Sequence, residues 1–269
     1  MRASQDTSFL VSSIIIASSL GVCACGGSSG TTVSHQAVFD GYGAIAYSMY
    51  SDSVTKSTAL KTAVTAFTTN PTAATLQAAK DAWNAAREPY EQTETMRFYD
   101  GPIDNATDGS EGRINAWPMD ESYIDYIASN ATSGIINDAV MYPSITADLI
   151  VDRDTAGGET TISTGFHAIE FLLWGQDRSA TGPGARPHTD YVVGAGGTAL
   201  NQARRAQYLN AVTELLVHDL SDVRDAWAPN VAGNYRAQFA ALPAAEGLRR
   251  ILTGMGSLSG AELSHERMQ

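Results

Sequence analysis

The sequence predicts an all-α protein built as helical bundles, and three observations predict it. Apolar residues recur at three- and four-residue intervals over long stretches, and period-two alternation is scarce. The one long polar segment, 175–197, is rich in Gly and Pro and reads as a connection between helices. With 269 residues, 43% of them hydrophobic and 17% charged, the chain can bury a substantial core.

From about Ser34 to Thr69 the pattern is helical, with a break expected near Gly41 and Gly43. Pro71-Thr72 opens a second helix through Leu76, Ala79, Trp83, Arg87, Tyr90, Glu91, Glu94, Arg97 and Phe98, stopped by Gly101-Pro102. Residues 99–120 form a polar loop ending at Trp117-Pro118. Short helices are expected at 121–129, with Asp120 as N-cap, and at 144–152. A helix from about Thr161 to Trp174 precedes the 175–197 excursion, which should run over the surface. Leu209, Val212, Leu216 and Leu220 mark the core stripe of a helix from about Leu200 to Trp227. Shorter helices follow at 234–241 and 244–253. The last segment, Ser259–Gln269, is helical in pattern but uncapped, with Glu262, Glu266 and Arg267 facing nothing, as in a chain that ends early.

Ahead of these helices lies a segment that reads as an export signal, residues 1–24. Arg2 is a thin basic end, and Phe9 to Leu20 is apolar but too short to span a bilayer. Cys25, preceded by the small Ala24 and followed by Gly/Ser/Thr-rich residues, fits a lipoprotein processing site better than Cys23 behind Val22. Residues 25–33 then form a flexible tether, and 34–269 the helical domain. An ordinary secretory peptide is the competing reading. Both cysteines fall in this segment, so a metal site in the domain must use His, Asp, Glu and carbonyl oxygen. The formal charge of −12 argues against nucleic acid as a partner, and leaves the lipid anchor as the only membrane contact.

The sharpest local signal is Gly165-Phe166-His167-Ala168-Ile169-Glu170. Positions i and i+3 share a helix face with Cβ atoms about 5–6 Å apart, so imidazole and carboxylate can close on one cation. Gly165 allows another backbone or a ligand to approach closely. A hydrogen-bonded pair at a core edge is the plainer reading of the same spacing. The best-known zinc helix carries two histidines at i and i+4, whereas Phe171 stands here, so further ligands must come from elsewhere. His35, His188, His218 and His265 read as surface histidines, His218 with Asp219 and Asp222 beside it.

A second constellation lies upstream. Arg87, Glu91, Glu94 and Arg97 make a mixed-charge strip beside Trp83, Tyr90 and Phe98, which fits a solvated face or a partly buried polar wall. Arg87-Glu88-Pro89-Tyr90-Glu91-Gln92-Thr93-Glu94 and Arg97-Phe98-Tyr99-Asp100-Gly101-Pro102-Ile103-Asp104 resemble the imelysin family. So do Asn115 to Asp125, Gly165 to Asp177, Gly254-Met255-Gly256-Ser257-Leu258-Ser259, and Glu262-Leu263 with Glu266-Arg267-Met268. The matches run in order over most of 80–269.

The resemblance implies an all-α protein of two helical-bundle halves, exported to the bacterial periplasm or outer membrane. Because members continue past the position of Gln269, it also implies that the second bundle is incomplete. The family's Gly-x-His-x-x-Glu motif falls on Gly165, His167 and Glu170, and its acidic and arginine positions on Glu94 and Arg97. Family members are linked to iron uptake and some are classed as metallopeptidases. The expectation is an envelope protein of iron acquisition in which His167, Glu170 and Glu94 hold a cation, iron rather than zinc. Gly165, Arg97 and Tyr90 would orient the ligands, and iron, an iron-bearing ligand or another envelope iron-uptake protein would be the partner. Two alternatives stand beside it: a zinc metallopeptidase, for which two protein ligands are too few, and a non-enzymatic module in which Glu170 and Arg97 form a buried ion pair.

Overall fold

The computed structural model describes residues 33–267, so the expected signal peptide and the lipidation site at Cys25 lie outside the described residues. The expected fold class is the observed one: helices dominate, and among the described residues the only strand-like pairing is an isolated bridge between Ile127 and Asn130. From Ser34 onward the chain is one unit.

Its spine is α1, His35–Thr69, which buries Phe39, Ala46, Tyr50, Leu60, Val64 and Phe67 along one face. The break expected at Gly41 and Gly43 does not occur. Gly43 is buried, and a Cβ there would lie 3.2 Å from Arg236 Nε, so this glycine serves packing rather than a bend. A short connection at 70–72 leads into α2, Ala73–Gln92, capped by a reciprocal Thr72–Thr75 pair. The steps Leu76, Ala79, Trp83, Ala86, Tyr90 set its buried face against α1.

This second helix ends sooner than its pattern suggests. Pro89 removes a backbone donor from the last turn, and the chain tightens into a 3-10 turn at Thr93–Met96. Phe98 (φ 72°) and Asp100 (φ 61°) then take left-handed conformations. The Asp104 carboxylate secures them by accepting from the Phe98 and Gly101 amides. Inside the expected polar loop sits a one-turn helix, α3, Glu111–Asn115. Asp120 does cap α4, Glu121–Ile124, and α5 spans Ala147–Arg153.

The motif helix is α6, Gly165–Trp174, with seven of its ten residues buried. It packs on α2, α3 and on α7, Gln202–Ala226. Two short helices close the described fold, α8 (Tyr235–Ala240) and α9 (Ala244–Ser257), followed by a π-helical segment at Leu258–Arg267.

The 175–197 excursion is not simply surface. Its second half dives inward, burying Arg186, Asp190 and Tyr191. Arg205 of α7 and Arg186 both bond Asp125, at 2.6–2.9 Å and 2.8 Å, and Tyr126 donates to Asp190. This buried quartet of two arginines and two aspartates ties α4, the excursion and α7 together.

Candidate functional site

Five segments bring polar side chains to one cavity of about 850 Å³. Arg87 comes from α2, Glu94 from the 3-10 turn, Arg97 from just beyond it, and Glu111 and Asn115 from α3. His167 and Glu170 come from α6, and Glu262 from the π-helical segment. Exposed Trp117 stands at the rim with its ring 5.0 Å from that of His167.

Local sequence explains each approach. Gly165 opens α6 with φ 79°, and a Cβ there would lie 2.5 Å from the Ile114 carbonyl oxygen. Only glycine lets α3 lie this close to α6, which is what places Glu111 and Asn115 opposite His167. Arg113 fixes α3 from the other side by a two-pronged bond to Asp219 on α7, 3.0 Å at each contact. Gly254 does for α9 what Gly165 does for α6: a Cβ there would sit 2.2 Å from the Thr95 carbonyl oxygen. That contact sets α9 against the turn bearing Glu94 and brings Glu262 to the cavity.

Within the cavity, His167 Nδ1 and Glu170 Oε2 are 3.1 Å apart, so the motif forms a direct pair. Arg97 pairs with Glu111 at 3.0 Å, not with Glu170. The buried Glu170–Arg97 pair of the structural alternative is therefore absent. Glu170 is bonded to His167 and is half exposed, and Arg97 is taken up by the α3 carboxylate Glu111. Arg87 bonds Asn115 and Glu91 and stacks over Phe166, its guanidinium carbon 5.0 Å from the ring centre. Burial pushes the Glu111 carboxyl above its usual range; Arg97 pulls it back, and neighbouring Glu94, Asp104 and Glu262 push it further up. Crowded carboxylates of this kind favour a cation nearby.

The expected residues divide as follows. His167, Glu170, Glu94 and Arg97 share the cavity. Tyr90 does not line it: it is fully buried behind it, ring on ring with Phe166 at 5.2 Å. Glu111 carries no sequence signal of periodicity, because α3 is a single turn inside a polar stretch, and Asn115 stands out only as the start of a matched stretch; an acidic residue opening a helical turn is the available signal. Glu262, which the sequence leaves facing nothing, lines the site.

The donor chemistry suits a hard cation: carboxylate oxygen with one imidazole. His167 and Glu170 supply two donors, and no third carboxylate or imidazole joins them within 4.8 Å among the described residues. A trio that tight occurs at His218, Asp219 and Asp222, where Asp219 is already committed to Arg113 and the other two are exposed.

This all-α bundle matches the profile of a protein family, described as Imelysin, over residues 46–269. The chain belongs to the imelysin family. It is similar to iron-regulated protein A of Synechococcus elongatus, 33% identical over 117 residues, 44% of this chain and 25% of that protein. It also resembles the crystal structure of a candidate iron-regulated protein A precursor from Parabacteroides distasonis, with TM-score 0.59 and 22% identity over 85% of this chain and 58% of that one. The chain thus spans a quarter of the curated relative's length, and the structural likeness speaks to fold.

Proposed function

We propose that this protein handles iron at the bacterial cell envelope, holding the metal or an iron-bearing ligand through His167 and Glu170 with Glu94 on the same wall. The observation that carries this reading is the 3.1 Å imidazole–carboxylate pair facing a cavity lined by three further glutamates. The iron-regulated relatives support it, and so does the hardness of the donors. When bound, the metal would supply a positive centre on which anionic groups gather. His167 and Glu170 would hold it, and Arg87 and Arg97 would orient the carboxylates around it. Export through residues 1–24 and anchoring at Cys25 belong to the same proposal; no described helix is long and apolar enough to cross a membrane.

Anaerobic titration of the protein with ferrous ion and with zinc tests the proposal. Stoichiometric iron binding is expected, weakened more than about tenfold in His167→Ala and in Glu170→Ala. Unchanged iron affinity in both variants would remove the motif from any metal role. Tighter zinc binding, with peptide hydrolysis lost in His167→Ala, would favour the metallopeptidase instead.

A further inference from the structure

The cavity at the His167–Glu170 pair carries both signs of charge, and we infer that its ligand does too: a metal ion already held in a small polycarboxylate chelate. The metal faces His167 and Glu170, and the chelate's outer carboxylates face Arg87 and Arg97. This rests on the proposed metal-binding role and names the form in which the metal arrives.

The first ground is donor count. Iron takes about six donors, whereas the motif pair offers two, with no third imidazole or carboxylate within 4.8 Å among the described residues. A chelate brings the remaining oxygens with it. The second ground is the pair of guanidinium groups. Placed near a bare cation they repel it, but toward carboxylates they are forked, charge-assisted donors. Both are largely buried, with 16% and 15% of the side chain exposed, and so are held in position rather than waving in solvent. Arg97 gives Nη2 to Glu111 while its buried Nε has no hydrogen-bond partner, so the protein does not saturate this group.

Size is the third ground. At about 850 Å³ the cavity falls within the roughly 300–1,000 Å³ span of small-molecule pockets. That is far more room than one ion needs. Charge balance is the fourth. A one-to-one complex of a trivalent ion with a tricarboxylate is neutral overall but keeps a positive centre and a negative rim. Such a ligand matches a wall where glutamates and arginines alternate better than a bare cation or a bare anion does. Beside His167 and Glu170 lies a second hollow of about 450 Å³ where Trp83, Phe171 and Trp174 stand with Glu121 and Asp177, without an arginine to receive a carboxylate. The mixed-charge side selects the polycarboxylate.

The test is calorimetric titration of the protein with ferric citrate, citrate alone, ferrous ion under anaerobic conditions, and haem. Ferric citrate is expected to bind at least about tenfold tighter than any of the others. Arg87→Gln and Arg97→Gln should each weaken ferric citrate by about tenfold and ferrous ion by clearly less, because only the chelate offers carboxylates to the guanidinium groups. His167→Ala should weaken both by more than about tenfold. Arg97→Lys, which keeps the charge and loses the fork, is expected to fall between wild type and Arg97→Gln, and circular dichroism confirms that each variant is folded. Ferrous ion bound as tightly as ferric citrate, or arginine variants that weaken the two probes equally, would overturn the inference and leave the metal site standing. Preference for haem would also overturn it. Failure of both iron probes to bind would instead sink the metal-binding reading itself.

Discussion

Asp125→Asn is expected to lower the stability of the folded domain by about 3–5 kcal/mol, because it strips the shared partner from two buried arginines. The Asp125 side chain is fully buried, and so, to within 1%, are those of Arg186 and Arg205. Arg205 grips both carboxylate oxygens, at 2.6 and 2.9 Å, and Arg186 adds a third bond at 2.8 Å. An asparagine keeps the shape but removes the charge, leaving two guanidinium groups with only Asp190 between them. Asp190→Asn should cost less, since Arg186 reaches that carboxylate only at 3.4 Å. Urea denaturation of the two variants checks the order; equal and small losses would mean that the quartet is not the strut it is taken for.

The pH dependence of that loss has a definite sign. Burial pushes the Asp125 carboxyl up, but the Arg205 hydrogen bonds and the charges of Arg186 and Arg205 outweigh it and hold it below the usual range. A carboxyl held down in the folded state contributes stability above its unfolded pKa of about 3.9 and loses it as pH falls through the folded value. The stability gap between wild type and Asp125→Asn should therefore be full near neutrality and narrow below about pH 4. Glu111 and Asp154, both pushed up by burial, act the opposite way: their contribution is present at low pH and is lost as pH rises. They are common to both proteins and cancel in the difference.

The quartet also shows where sequence reading stops. The long helices were legible because α1, α2 and α7 each bury one continuous stripe, and three- and four-residue steps are a property of the chain alone. The His167–Glu170 pair was legible for the same reason, since its two members share one helix. Arg205 stands four residues before Leu209 on the α7 core stripe, so an arginine on an apolar face was the available signal for a buried ion pair. Its partners, Asp125 and Arg186, lie in segments whose conformation is set by tertiary bonds rather than by periodicity. The same holds for α3: a single turn carries no period to read, and its place beside α6 is fixed by the backbone contact at Gly165. Helix ends were lost where side chains override pattern, as when Asp104 holds the chain beyond α2 in left-handed turns.

Gly165→Ala is expected to damage stability and metal binding together, a joint effect that separates packing at this residue from a role confined to the helix. Its φ of 79° alone costs an L-residue about 1–2 kcal/mol. The added methyl would also lie 2.5 Å from the Ile114 oxygen and 2.7 Å from the Arg113 oxygen, both backbone atoms that cannot rotate away. Relief requires α3 to move off α6, and α3 carries Glu111 and Asn115. Glu111 holds Arg97, and Asn115 holds Arg87, so one displaced turn loosens both arginines of the cavity. Gly112→Ala is the control on the same turn: a methyl there meets nothing within 4 Å, so it should leave iron binding unchanged and stability equal or slightly higher. Denaturation curves read beside iron titrations decide the matter. A Gly165→Ala protein that is destabilised yet binds iron at wild-type strength would show that α3 does not shape the site, and its glutamate and asparagine would then be bystanders.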